Sequence, residues 1–246
     1  MSVERPTAVV VDDATVIRES VPILMTGLDV VGRYAGVEQM LDERPDSEVV
    51  ILDLHLSNAS QPDVRQGIAA VRAVVAAGYR VCVFTQEERR FVLAACLAAG
   101  ASGVVAKSAG TAETQEAFAA VAAGEVVMPQ ALIGLVEVLV RRNNLTILSE
   151  RQRQVLSGRA RGFTYAELGE QLFLSESTLR GYWATVTENV SEYLQQATPA
   201  EIEHALGIGP GDLLDMWPVP PEASDAVEKD EARWWQLRQK RRRRRR

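Results

Sequence analysis

Cysteine and histidine are scarce, at two each in 246 residues, and aromatic residues make up only 6% of the chain. Cys82 and Cys96 both lie inside apolar runs, which suits small buried thiols in a reducing compartment and excludes a disulfide framework. His55 and His204 have no Cys or His companions at ligand spacing, so a zinc site of the usual Cys/His kind is excluded as well. No unbroken apolar run approaches the ~18 residues that a membrane span needs. The opening Met-Ser-Val-Glu-Arg-Pro lacks the basic-then-apolar pattern of a secretion signal, so the expected location is the cytoplasm, away from the membrane. Internal repeats are absent too. What is present is an ordinary globular composition, 47% hydrophobic and 24% charged, long enough for one large domain or two smaller ones.

Charge is unevenly spread. The formal net charge is -6, yet eight of the 27 basic residues are Arg238, Lys240 and Arg241 to Arg246. Residues 1–124 carry -6, residues 125–145 zero, residues 146–196 -1 and residues 197–237 -7, against +8 on the last nine. An acidic body with a solvated cationic tail directs that tail toward phosphate, an acidic partner or the body itself.

Short β-branched runs alternate with longer Ala- and Leu-rich stretches through residue 124. The spacing predicts strands at 7–11, 28–34, 49–52, 80–84 and 103–106, with helices at 16–25, 37–43, 64–76, 89–99 and 112–123 between them. Strict alternation implies a doubly wound parallel sheet with helices on both faces. Gly100 and Gly124 fall where helix C-caps are useful. Residues 125–145 read as a helical linker. Beyond Leu148 the pattern changes to short helices at 150–159, 165–172 and 177–188, then a small unit at 199–206 and 211–216 ended by Trp217. Ser149 with Gln152 has the side chains of a capping box; Ser175 with Thr178 marks a helix start without one.

In an open parallel sheet, chemistry gathers at the carboxyl ends of the strands. Here those ends present Asp12 and Asp13, Asp53, Thr85 and Lys107. Three carboxylates in one crevice repel each other, and a hard divalent cation such as Mg²⁺ is the natural way to keep them ionised. A hydroxyl and an ammonium beside them complete a site for a transferred phosphoryl group. Asp53-Leu54-His55 has no second carboxylate two residues on, which argues against a hydrolase with Asp53 as nucleophile; no catalytic residues are assigned, and the chain does not read as an enzyme.

Val11-Asp12-Asp13, Val49-Val50-Ile51-Leu52-Asp53, Val83-Phe84-Thr85 and Gly100-Ala101-Ser102-Gly103-Val104-Val105-Ala106-Lys107 resemble the receiver domains of two-component response regulators, over about residues 6–124. The resemblance implies that Asp53 accepts phosphate from a histidine kinase. It further implies that Asp12, Asp13, Asp53 and the backbone carbonyl of His55 hold Mg²⁺ while Thr85 and Lys107 contact the phosphoryl oxygens. Three positions depart from the family pattern. Val104 stands where an aromatic switch residue is usual, residues 55–67 form a longer segment that lacks the usual proline at Ser57, and no proline follows Lys107.

Leu148-Ser-Glu-Arg-Gln-Arg-Gln-Val-Leu156 and Gly162 to Arg180 resemble the LuxR-type helix-turn-helix, over about residues 146–190. Tyr165 to Gln171 would be the supporting helix and Glu176 to Val186 the recognition helix, with Leu168, Leu172, Leu174 and Leu179 packing the two together. Such a helix enters the major groove with its early residues facing the bases. The implied DNA contacts are Ser175, Ser177, Thr178, Arg180 and Tyr182, although Ser177 replaces a common lysine and a net charge of -1 is poor for phosphate affinity.

The expected architecture is thus α/β: a (βα)5 doubly wound parallel-sheet receiver domain (1–124), a helical linker (125–145) and an all-α helix-turn-helix domain (146–196). An acidic helical extension (197–237) and a basic tail (238–246) follow. The expected function is an atypical LuxR/NarL/FixJ-class transcription factor that binds DNA as a homodimer, with phosphorylation of Asp53 as the trigger. The rival readings are a regulator gated by a ligand or protein partner instead of phosphate, and an interaction module that does not touch DNA.

The tail yields a first prediction. Deleting residues 238–246 is expected to weaken specific and nonspecific DNA binding alike while preserving base preference. Each lost phosphate contact makes the slope of log affinity against log salt shallower by about 0.9. A salt titration of both proteins checks it; affinity that rises on deletion would mean that the arm engages the acidic body.

Overall fold

Valine and isoleucine, stiff at χ1, pack well on a pleated surface, and in the computed structural model they build five strands. The structure describes residues 5–56, 65–142, 147–214 and 217–218. In chain order the first ten elements are β1 (Thr7–Val11), α1 (Thr15–Leu24), β2 (Asp29–Tyr34), α2 (Val37–Glu43), β3 (Val49–Leu52), α3 (Gly67–Ala76), β4 (Val81–Thr85), α4 (Arg90–Ala98), β5 (Gly103–Ala106) and α5 (Thr111–Ala122). All strand pairings are parallel and the order is β2-β1-β3-β4-β5. The chain leaves β1 toward one edge and returns past it to β3, so the crevice outside the ends of β1 and β3 is the topological switch point where ligands gather.

Period-two alternation sends successive side chains to opposite faces of the sheet. Val9, Val11, Val50, Leu52, Val81, Val83 and Val104 lie in a core with α2, α3 and α4. Ala8, Val10, Val49, Ile51, Cys82, Phe84 and Val105 lie in another with α1 and α5, where Phe84 and Phe118 meet edge to face at 5.4 Å. Burial pushes both thiols up, Cys96 to about 12, so neither is a ready nucleophile. Gly100 and Gly124 do end helices in the left-handed region, at φ 99° and 94°.

Five more helices follow: α6 (Gln130–Arg141), α7 (Glu150–Ala160), α8 (Tyr165–Leu172), α9 (Glu176–Gln196) and α10 (Pro199–Leu206). The expected linker helix is α6, and it is a core element: Leu132, Ile133, Leu135, Val136 and Leu139 are buried in the same apolar cluster as the α4 face of the sheet. The recognition helix expected to stop near residue 188 runs to Gln196. Val186, Val190 and Leu194 recur every fourth residue with no helix breaker between them, and the stripe they form is buried. Pro199 stops the run, because the residue before a proline is disfavoured in the α region, and Thr198 is accordingly extended at φ -76°, ψ 157°.

The helix expected at 211–216 is instead a turn over residues 211–214; Asp215 and Met216 lie outside the described residues. The buried Glu203 carboxylate accepts the backbone N–H groups of Gly211 (2.9 Å) and Leu213 (2.8 Å), and Gly207 and Gly211 have φ of 69° and 96°. Trp217 is a packed anchor, its indole Nε1–H donating to the Ala197 carbonyl at 3.0 Å. His204 is exposed in the last turn of α10. The expected capping box at Ser149 and Gln152 is present, and Thr164 with Glu167 and Thr198 with Glu201 form two more.

One apolar cluster therefore spans both halves: Leu93 and Leu97 of α4, Leu139 of α6, Val186, Val190 and Leu194 of α9, and Ile202 of α10 all belong to it, with α4 packed along α9. A shared core predicts shared stability. Leu194→Ala is expected to cost about 2–5 kcal/mol by the lost burial and residual cavity, and the loss should register in the sheet half as well as in the helices. Denaturant unfolding followed with probes in each half checks it; an unchanged sheet transition would count against the common core.

Candidate functional site

The sheet ladders position the charged side chains. Asp53 N–H donates to the Val11 carbonyl (2.9 Å), Lys107 N–H to the Thr85 carbonyl (2.8 Å) and Asp12 N–H to the Tyr34 carbonyl (3.1 Å). Each residue follows directly on a strand, so all three arrive at the same edge of the sheet. Asp12, Asp13 and Asp53 can bring one carboxylate oxygen each within 4.8 Å of one another, and Lys107 Nζ sits 2.7 Å from Asp12 and 2.9 Å from Asp53.

This is a crowded and mostly dry place: Asp12 is 2% exposed and Asp53 6%. Burial holds Asp12 above the ordinary carboxylate range even though Lys107 and the Ala14 amide pull it down. Lys107 is drawn down by burial, but its bonds to Asp12 and Asp53 outweigh this and leave it above the usual lysine value. One ammonium between buried carboxylates leaves residual negative charge, and an all-oxygen donor set of this compactness fits a hard divalent cation such as Mg²⁺. The Asp53 carboxylate also accepts the Leu54 N–H at 2.8 Å, which fixes its orientation.

Two of the expected residues are placed differently from the charged cluster. Thr85 stands at the end of β4 beside Ala106, fully buried, with its hydroxyl accepting the Glu87 N–H at 3.1 Å. His55 is exposed, just before the buried Leu56. Val104, where an aromatic residue would rotate in relatives of the usual pattern, is buried among aliphatics. Most of the long 55–67 segment, residues 57–64, lies outside the described residues.

Arg18 is a site residue that the sequence did not announce. Its guanidinium donates to the backbone carbonyls of Asp12 (2.6 Å) and Asp13 (2.8 Å) and to the Thr15 hydroxyl (3.0 Å), gathering the loop that carries both carboxylates. An arginine one turn into a helix is a common surface residue, and only its reach back to the loop distinguishes it.

In the second half, the Ser175 hydroxyl caps α9 by accepting the Thr178 N–H (3.2 Å) and lies 3.0 Å from the Ser177 hydroxyl and 2.8 Å from that of Thr178. All three residues are exposed. Leu168 and Leu179 are buried with Val155, and Leu172 and Leu174 pack against them, as the spacing predicts. Tyr182 joins that packing and is only half exposed. Arg180 stacks on Tyr165, 4.5 Å from guanidinium to ring centre, and Arg159 covers the same ring at 4.8 Å. Both arginines line a cleft of about 760 Å³ between the two halves, with Glu113, Glu116 and Glu125 among its other lining residues.

Glu87 ties the loop between Thr85 and α4. Hydrogen bonds from the Arg89 guanidinium hold its carboxyl down at about 2, against an ordinary 4.5. A depressed carboxylate contributes stability that is present above its unfolded value and lost as pH falls through the folded one. Wild type is therefore expected to lose this contribution between about 4.5 and about 2, and Arg89→Gln is expected to lack it at neutral pH and to show a flatter acid limb there. Melting temperature against pH for the two proteins checks the sign; coincident acid limbs would remove Arg89 as the cause.

Comparisons with known proteins cover both halves of the chain. Residues 146–189 match the family model for bacterial regulatory proteins of the LuxR family. A Pseudomonas aeruginosa protein named as a transcriptional regulator is 32% identical over 180 residues, covering 70% of this chain and 85% of that one. The nitrate/nitrite response regulator protein NarL of Escherichia coli K12 is 26% identical over 192 residues, covering 73% and 87%. A solved structure of the Salmonella typhimurium RcsB response regulator aligns at 18% identity with a TM-score of 0.48, covering 83% and 94%. Among the described residues no helix is long and apolar enough to cross a membrane. With its parallel five-stranded sheet followed by a helix-turn-helix, the chain belongs to the LuxR/NarL class of DNA-binding transcriptional response regulators, proteins that control transcription and are not enzymes.

Proposed function

We propose that phosphorylation of Asp53 by a histidine kinase switches this regulator between a closed form and a DNA-reading form. The observation that carries the reading is the cluster of Asp12, Asp13, Asp53 and Lys107 at one edge of the sheet, with Lys107 Nζ 2.9 Å from the acceptor carboxylate. In the transfer, the phosphorus–nitrogen bond of a phosphohistidine breaks as a phosphorus–oxygen bond to an Asp53 carboxylate oxygen forms, and the imidazole leaves with the electron pair. Mg²⁺, held by Asp12, Asp13, Asp53 and the His55 backbone carbonyl, would supply charge stabilisation on the phosphoryl oxygens. Lys107 would exchange part of its pairing with Asp12 and Asp53 for a phosphoryl oxygen. The Thr85 hydroxyl would leave the Glu87 amide for another.

The closed form is supported by the packing of α9 along α4 and by Arg180 lining the cleft that Glu113, Glu116 and Glu125 also line. A duplex needs that arginine and the early residues of α9 free. Release would let Ser175, Ser177, Thr178 and Arg180 meet phosphates and base edges, with Tyr182 flanking them. It would also expose the stripe of Val186, Val190 and Leu194 to a second copy, giving a homodimer on a two-fold site. In this reading residues 1–124 form the phosphate-accepting unit, 125–145 the coupling helix and 146–196 the DNA reader, and the protein acts in the cytoplasm. A second reading, gating by a bound ligand or protein partner, is favoured by one observation: the buried Val104 removes the aromatic rotation through which phosphate is usually sensed.

Incubation with Mg²⁺ and a small phosphodonor is expected to label wild type and leave Asp53→Asn unlabelled. Hydrogen exchange in α4 and in the C-terminal half of α9 should rise only in the labelled protein. Folded wild type that never acquires phosphate would replace this reading with the ligand-gated one.

A further inference from the structure

The turn between α8 and α9 contains a residue whose conformation and exposure are both unfavourable. Phe173 sits at φ 55°, ψ 46°, in the left-handed region, and is 92% exposed. Among the described residues it shares a positive φ outside glycine only with Arg44. Helices commonly end in this conformation through glycine or asparagine, which adopt it readily; a bulky side chain there is an outlier. The backbone geometry of the turn is needed for the fold: the Phe173 N–H donates to Gly169, and Leu174 N–H donates to the same carbonyl at 3.1 Å. The phenyl ring is not. It leaves Leu172 and Leu174 on either side to fill the small core while it stands in solvent. Strain with no return in packing is characteristic of positions held for function.

We infer that Phe173 is an apolar contact to the DNA backbone, laid against the deoxyribose carbons at the wall of the groove that α9 enters. The inference rests on the DNA-binding reading of the helix-turn-helix. Its place favours DNA over a protein partner: it lies two residues before Ser175, at the corner where the exposed hydroxyls of Ser175, Ser177 and Thr178 open α9. In a helix-turn-helix the supporting helix crosses the backbone and the recognition helix enters beside it, so the turn between them borders the sugar–phosphate wall. Residues 146–196 carry a net charge of -1, which leaves little phosphate neutralisation to hold the duplex. A ring packed on sugar carbons adds attraction without charge.

The test is direct, because the same substitution should move stability and binding in opposite directions. The full chain, untreated and treated with Mg²⁺ and a small phosphodonor, is titrated against a short duplex of mixed sequence over a range of salt, alongside Phe173→Asn and Phe173→Tyr. Phe173→Asn is expected to melt a few degrees higher than wild type, since asparagine tolerates the left-handed region. It should bind DNA on the order of tenfold more weakly, as for loss of a half-buried aromatic contact, with an unchanged salt slope. Phe173→Tyr should retain wild-type affinity. Wild-type affinity in Phe173→Asn would overturn the inference, as would lost transcription with DNA binding intact, which would assign the ring to a protein partner. Wild type that binds no duplex under either condition would instead overturn the DNA-binding reading on which the inference stands.

Discussion

The stripe of Val186, Val190 and Leu194 on α9 is the constraint around which the rest of the molecule is arranged. Three aliphatic side chains at helical spacing must be covered, each contributing about 1.5–3 kcal/mol when withdrawn from water. Here α4 and α6 belong to the cluster that covers them. Because α9 is one continuous helix of 21 residues, covering its C-terminal half also fixes the direction of its N-terminal half. That direction leaves Arg180 beside Trp183 and Thr187 on the cleft between the halves. Orientation of the DNA-reading end is thus a consequence of apolar packing far from any DNA contact.

The charged edge of the sheet is joined to this seam by backbone and not by a rotating ring. Val127 donates its N–H to Ser102 (3.0 Å) and accepts that of Val104 (3.1 Å), so the segment leading into α6 is stitched to the edge of β5. Three residues past Val104 along that strand and its extension is Lys107, paired with Asp12 and Asp53. On the adjacent strand, the hydroxyl of Thr85 holds the Glu87 amide at the entry to α4. Displacement at Lys107 or Thr85 would therefore act on α4, which packs against α9, and on α6, which packs against α4 and α7 in the same apolar cluster. A buried valine at position 104 is compatible with this arrangement because no side chain has to swing through the core.

The parts of the fold governed by local pattern were legible in the sequence. Strands 7–11, 49–52 and 103–106 coincide with those observed, since β-branched runs bounded by turns leave little choice of register. Asp12, Asp13, Asp53 and Lys107 were legible for the related reason that a strand end dictates where the next side chain goes. What was not legible depended on long-range partners. The extent of α9 follows from a partner surface on α4, nearly ninety positions away, and the turn at 211–214 from Glu203 reaching forward to two amides. Arg18 and the two additional capping boxes were missed because their residue types are ordinary on any helix surface, and only the bonds they make single them out.

Energetics limit how firmly the seam can be closed. A switch driven by one phosphoryl group shifts an equilibrium only by its differential interaction with the two forms, and moving from 1:99 to 99:1 takes about 5.5 kcal/mol. Leu93, Leu97, Val186, Val190 and Leu194 together bury more apolar surface than such a switch could expose outright. The open form of the proposed switch would therefore have to re-cover most of the stripe, and a two-fold partner presenting the same stripe would do so without new residues. In the proposed switch, dimerisation would then contribute to opening as well as follow from it, and the apparent sensitivity to phosphate would depend on protein concentration. Glu113, Glu116 and Glu125 line the same cleft as Arg159 and Arg180, so in the proposed switch opposite charge across it would favour the closed form, and a duplex competing for those arginines would oppose it.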